Sequence, residues 1–144
     1  MSTIVVGGGI VGLSIGWRVA QGGAEVTVVD PSPASAASFA AAGMLTPVSE
    51  VHYGEEALLA LSQASYARWP AFAAELAEAS GQEVPLRAEG SVAVGFDHDD
   101  LRALDELRRF QEELGLGVER LRSRDCRALE PMLSQRIRGG IRVD

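Results

Sequence analysis

An α/β fold is predicted for this chain: a βαβ unit at the N-terminus, followed by the start of an α+β portion that the sequence leaves incomplete. Three observations predict it. A β-branched run at residues 3–6 leads into glycines at 7, 8, 9 and 12. An apolar helical stretch comes next, and a second β-branched run at 26–29 ends on Asp30. Beyond residue 81 the pattern changes to alternating strands and amphipathic helices.

Each element follows from local chemistry. The run at 3–6, ended by glycine, is predicted as a buried strand. Residues 10–21 carry Ile10, Val11, Leu13, Ile15, Trp17, Val19 and Ala20, a mostly apolar helix that Gly22 and Gly23 stop. Pro31 prevents the strand at 26–29 from continuing. Residues 32–47 are small and show no period, which lets a backbone approach something closely. Residues 55–80 are helical, with Trp69, Phe72, Leu76 and Ala79 on one face, and Pro70 kinks the region or begins a second helix. Residues 91–96 alternate as a half-buried strand with Val92, Val94 and Phe96 on one side. Residues 97–100 cap a helix that reaches Leu114, with Leu107, Phe110 and Leu114 on one face and Gly115 after its end. Ser123 is placed to cap a short helix ending at Glu130-Pro131, and 137–143 reads as one more strand. The later strands look like a separate, mixed sheet. A doubly wound nucleotide domain needs a third parallel strand, and none is convincing after Asp30. The expectation is therefore an N-terminal fragment of a longer protein, with residues 1–84 in the nucleotide-binding domain and 85–144 beginning a substrate domain.

Composition narrows the function classes. The chain has 144 residues and is 47% hydrophobic, which suits a globular protein with a real core. Its 13 basic residues, all arginine, face 20 acids for a net charge of -7, with no basic stripe for a nucleic acid. Cys126 is the only cysteine, so no intrachain disulfide is available and a cytoplasmic setting is expected. The apolar start has no positive n-region and is broken by glycines and Arg18, so neither a signal peptide nor a membrane span is expected.

The motif that carries chemistry is Gly7-Gly8-Gly9-Ile10-Val11-Gly12, which fits G-x-G-x-x-G. Alone that pattern is weak. Here it follows a strand, opens a helix, and is followed 18 residues after Gly12 by Asp30, near the separation of about 20 that a dinucleotide fold requires. Gly7 permits the tight turn. Gly9 leaves room for a pyrophosphate at the helix N-terminus. Gly12 lets helix and strand pack closely, and Asp30 accepts from ribose hydroxyls. With Pro31 next and no arginine nearby, a 2′-phosphate and hence NADP is disfavoured. NAD and FAD are not separated by these residues.

The stretch Ala36-Ala37-Ser38-Phe39-Ala40-Ala41-Ala42-Gly43-Met44-Leu45 resembles the second FAD-contact segment of the D-amino-acid oxidase-like flavoprotein family. Its most specific piece is Ala-Ala-Gly-Met-Leu before Pro47 and Glu50, and it is most similar to the glycine-oxidising, thiamine-pathway branch. Glu89-Gly90-Ser91 and Leu129-Glu130-Pro131 also resemble the family. An alanine-rich surface loop, with Met44 and Leu45 filling a core gap, is the competing reading of the stretch.

The resemblance implies a Rossmann-like FAD-binding N-terminus. Gly7, Gly9, Ile10, Val11 and Gly12 would meet the pyrophosphate and Asp30 the adenosine ribose. Ala37 and Ser38 would follow the pyrophosphate and ribityl chain, and Ala42, Gly43 and Met44 the isoalloxazine. The sequence departs from the family pattern at Asp30, where glutamate is usual, and at bulky Phe39. The implied activity is FAD-dependent oxidation of glycine or a similar small amine or amino acid to the imine, with O2 reduced to H2O2. The family's carboxylate-binding arginine and pocket aromatics lie past residue 144, so no catalytic residue is assigned and this stretch alone is expected to be inactive. A homo-oligomer is left open for the full-length protein. The alternatives are a D-amino-acid dehydrogenase or sarcosine oxidase of the same fold, an NAD-binding dehydrogenase, or a non-catalytic nucleotide-binding module. His52 and His98 lack metal-ligand spacing, and no metal is expected. Cys126 reads as a packed thiol, Tyr53 and Tyr66 as packing residues, and the arginines from 120 to 138 as solvated surface.

Overall fold

The computed structural model describes residues 1–143. Contacts divide the chain into two compact units, Met1–Met44 and a second that begins at Leu45.

The first unit is the βαβ unit. Strand β1 (Ser2–Val6) pairs in parallel with β2 (Glu25–Val29), in the register Ser2↔Glu25 to Val6↔Val29. The Gly7 N–H extends the ladder by donating to the Val29 carbonyl at 2.9 Å. Helix α1 (Ile10–Gln21) crosses between them and ends where Gly23 turns left-handed at φ +84°. A Cβ built on Gly16 would lie 3.5 Å from Val26 Cγ1 and Val28 Cγ2, so this glycine brings α1 down onto the valines of one sheet face. The opposite face corrects the expectation of a buried strand. Ile4 is 70% and Val6 85% exposed, because a parallel pair needs cover on both faces and α1 covers one.

Residues 32–47 are less irregular than expected. They contain a five-residue helix, α2 (Ala36–Ala40), too short for periodicity to reveal. Ala34 and Ala36 sit in the left-handed region at φ 55° and 56°, a strain of about 1 kcal/mol each for a residue with a Cβ.

In the second unit, α3 (Glu56–Tyr66) and α4 (Trp69–Ser80) are separate helices. Pro70 falls in the first turn of α4, where a missing N–H costs nothing, and Gly81 ends it at φ +67°. Strand β3 (Ser91–Gly95) stops before Phe96, whose N–H donates to the Asp100 carboxylate at 2.8 Å. Phe96 is therefore half-exposed and not part of the alternating strand face. Helix α5 (His98–Glu113) is capped as expected: the Asp97 carboxylate accepts from the N–H groups of Asp99 and Asp100 at 2.9 and 3.0 Å. At its other end Gly115, at φ +75°, and Leu116 donate back to the carbonyls of Glu112 and Gln111, a Schellman closure.

Strand β4 (Val118–Arg122) escapes sequence reasoning. Its outward positions are Glu119, Arg120 and Arg122, and Leu121 alone is buried, so it reads as charged surface. Ser123 opens α6 (Ser123–Leu129) as its first residue instead of capping it. The N-cap is Arg122, without a side-chain bond. Strand β5 (Gly139–Val143) takes the centre of a three-stranded sheet in the order β3-β5-β4, and both pairings are antiparallel rather than mixed. One core cluster joins Val51, Leu59 and Phe110, with Leu107, Leu114 and Leu116 packed against it. Another joins Leu121, Cys126 and Ile137 beside the sheet.

Candidate dinucleotide site

Three backbone features of the first unit make the site. Gly7 adopts φ +106°, which only a residue without a Cβ enters freely. The turn it makes is so tight that a Cβ on Gly12 would be driven into the Gly7 carbonyl oxygen. Gly9 then serves as the N-cap of α1 in an extended conformation, with no side-chain cap and no acid in the first turn. The first-turn N–H groups therefore lack intrahelical partners, and the positive end of the helix dipole is not neutralised. That is a ready receptor for an anion.

Two side chains complete it. The Asp30 carboxylate accepts from the Gly8 N–H through Oδ2 and from the Ser32 N–H through Oδ1, each at 2.7 Å. These bonds hold its pKa below the ordinary value, the Gly8 bond most strongly, against a smaller opposing effect of burial. Asp30 is thus a fixed anion with lone pairs to spare for ribose hydroxyls. The Ser38 hydroxyl oxygen accepts from the Ile10 N–H at 3.0 Å, so α2 reaches back to the start of α1. A Cβ on Gly9 would sit 3.0 Å from the same oxygen.

Of the residues singled out in the sequence, Gly7, Gly9, Ile10, Gly12, Asp30 and Ser38 are brought together. Val11 lies beside them, exposed, on the first turn of α1, and Ala37 precedes Ser38 on α2. Ala42, Gly43 and Met44 follow α2 outside any helix or strand, with Gly43 in the left-handed region at φ +77°, and Met44 is exposed. Gly8 was missed. It is the bond donor that fixes Asp30, and a Cβ there would press on Asp30 Cβ at 3.0 Å and Pro33 Cβ at 3.1 Å. The middle glycine of Gly7-Gly8-Gly9 was the available signal, hidden because the motif leaves that position free.

A pH dependence follows from the lowered Asp30 pKa. A carboxylate with a depressed folded-state pKa stabilises the fold above its unfolded value, and that contribution disappears as pH falls through the folded one. The stability difference between wild type and Asp30→Asn is therefore expected to be full above the ordinary value of 3.8 and to shrink below it. Denaturant titrations of both proteins across acid pH check this. A difference constant down to strongly acid pH would contradict it.

Among the described residues no group of histidine, cysteine, aspartate and glutamate is arranged to hold a metal. Cys126 is fully buried and burial pushes its thiol pKa up, which fits a packed residue. Tyr53 stacks on Phe110 with ring centroids 3.9 Å apart. No helix among the described residues is long and apolar enough to cross a membrane.

Comparison with known proteins agrees with this geometry. The family model for FAD dependent oxidoreductases, DAO, matches residues 2–144. A glycine oxidase from Geobacillus kaustophilus (strain HTA426) is 31% identical over 131 residues, covering 90% of this chain and 34% of that protein. One of the polypeptides of an opine oxidase from Agrobacterium tumefaciens (strain Ach5) is 34% identical over 103 residues, covering 69% of this chain and 27% of that protein. The crystal structure of glycine oxidase from Geobacillus kaustophilus superposes with a TM-score of 0.89 at 30% identity, covering 97% of this chain and 38% of that one. The chain thus spans about a third of the length of the relatives it matches. The glycine turn, the unneutralised helix start and the fixed Asp30 carboxylate fit the ADP half of the family's cofactor, and the chain belongs to the DAO family of FAD dependent oxidoreductases.

Proposed function

We propose that this chain supplies the adenosine and pyrophosphate side of the flavin site in an oxidase of glycine or a similar small amine or amino acid. The single observation that carries the site reading is the convergence of Gly8, Ile10, Asp30 and Ser38 at the start of α1. The match to glycine oxidase supports the substrate class. The N–H groups of the first turn of α1 receive the pyrophosphate, and the Ser38 hydroxyl, which accepts from Ile10, keeps its own proton free to donate to it. Asp30 accepts from the adenosine ribose. Ala42, Gly43 and Met44, small or flexible, let the backbone approach the isoalloxazine. Held by these residues, FAD would supply the two-electron oxidation of the substrate amine. The amine becomes an imine that water hydrolyses, and O2 takes the two electrons and two protons as H2O2. No residue of this chain is assigned a catalytic role.

For the whole protein we place residues 1–84 in the FAD-binding domain and 85–144 at the start of the substrate domain. We also place it in the thiamine pathway and the cytoplasm. The family rules out the NAD-binding alternative. The match to a polypeptide of an opine oxidase favours a second reading, an enzyme of the same fold that oxidises another amine, as a D-amino-acid dehydrogenase or a sarcosine oxidase does. Turnover of glycine against sarcosine and D-amino acids by the full-length protein separates the two.

Gly9→Val tests the placement. The valine side chain would occupy the space next to Ser38 where the pyrophosphate is to lie. In the full-length protein this variant is expected to fold and to lose essentially all its flavin, read from the visible absorbance of the purified protein. Unchanged flavin content would refute the site.

A further inference from the structure

We propose that the segment from Ser35 to Ala42, which carries α2, is a strap over the pyrophosphate site: it opens on joints at Ala34–Ala36 and Gly43 to admit the nucleotide and closes on it through Ser38. The inference deepens the reading of the α1 start as the pyrophosphate receptor and rests on it.

Up to Ala34 the chain is firmly fixed to the glycine turn. Asp30 accepts from the Gly8 and Ser32 N–H groups, and the Ala34 N–H donates to the Gly8 carbonyl at 2.9 Å. Beyond that point the hold is slight. Every residue from Ser35 to Met44 is exposed, and Phe39, the largest side chain of α2, is 83% exposed. Among the described residues one hydrogen bond ties α2 to α1, donated by the Ile10 N–H to the Ser38 hydroxyl oxygen at 3.0 Å. A helix of five residues has little stability of its own to add.

The closed position also carries strain. Ala34 and Ala36 are held left-handed at φ 55° and 56°, where a Cβ is disfavoured. On the far side of α2, Gly43 enters the same region freely at φ +77°. Two strained alanines set against one exposed hydrogen bond leave open and closed forms of the free protein near balance. A pyrophosphate that accepts from the Ser38 hydroxyl strengthens the closed form alone, and only such a differential contact shifts the balance.

The test uses the full-length protein, stripped of flavin and titrated with FAD. Ala36→Gly removes the Cβ penalty from the closed form only, so FAD affinity is expected to rise about fivefold. Amide exchange at 37–42 is expected to be fast in the flavin-free wild type and slower in flavin-free Ala36→Gly. With FAD bound it is expected to slow by at least about tenfold more. Ala34→Gly is expected to act in the same direction, and it carries both readouts if Ala36→Gly fails to fold. A joint strained equally with and without ligand would raise the thermal midpoint of the glycine variants and leave FAD affinity unchanged. That result overturns the strap, as does slow exchange at 37–42 in the flavin-free wild type. A wild-type protein that binds no FAD would instead overturn the pyrophosphate site, and the strap with it.

Discussion

Gly12→Ala is expected to destabilise the protein by at least about 3 kcal/mol and to abolish flavin retention in the full-length form. One methyl suffices because of what it meets. The Cβ would overlap the Gly7 carbonyl oxygen and come within 3.3 Å of Val5 Cγ1. A carbonyl oxygen is backbone and cannot rotate aside as a side chain can. Either α1 lifts off β1 or the Gly7 turn opens, and both remove the anion receptor. The contrast with Gly9 makes the prediction specific. There the nearest atom is the Ser38 hydroxyl oxygen, a movable group, so a side chain at Gly9 costs ligand rather than fold. Thermal midpoint and flavin content measured on both variants should therefore separate: Gly12→Ala loses both, Gly9→Val only flavin. A Gly12→Ala protein with a wild-type midpoint would mean that the turn is not as tight as described.

Gly140→Ala is expected to cost a comparable amount, at least about 3 kcal/mol, in the second unit. Gly140 lies in the central strand and pairs with Val94 on one side and Leu121 on the other. Its Cβ would run into the Ala93 carbonyl oxygen and approach Cys126 Sγ at 3.1 Å. Only the sulfur can be removed by substitution. Cys126→Ala in the same protein should therefore fail to restore the midpoint. Full rescue by that second substitution would show the clash to be with the side chain alone. Denaturant unfolding of the single and double variants decides between them.

The first unit was legible in the sequence because its signals are local and redundant. Glycines at 7, 9 and 12, β-branched runs on either side of α1 and the acid at Asp30 all point one way. What stayed hidden has physical reasons. Helix α2 is shorter than two turns, so no period marks it. β4 places three charged side chains outward against one buried leucine, which inverts the usual appearance of a strand. Gln111 looks like one more polar residue on the outside of α5, and only the tertiary fold sets it inside. At the site, Asp30 was identified by spacing, but its bond from the Gly8 N–H was not, because a motif records residue types and not which N–H is left to donate.

The face of the β1–β2 pair left uncovered among the described residues has a consequence for handling this 144-residue stretch on its own. Ile4, Val6 and Val29 form an apolar strip on a ribbon whose two outer edges carry no further strand among the described residues. Such a surface is adhesive: it can recruit extended peptide at its edges and grease at its face. The chain as described should therefore cluster with rising concentration, and dilute, low-salt conditions should keep it dispersed, helped by the mutual repulsion of a net charge of -7.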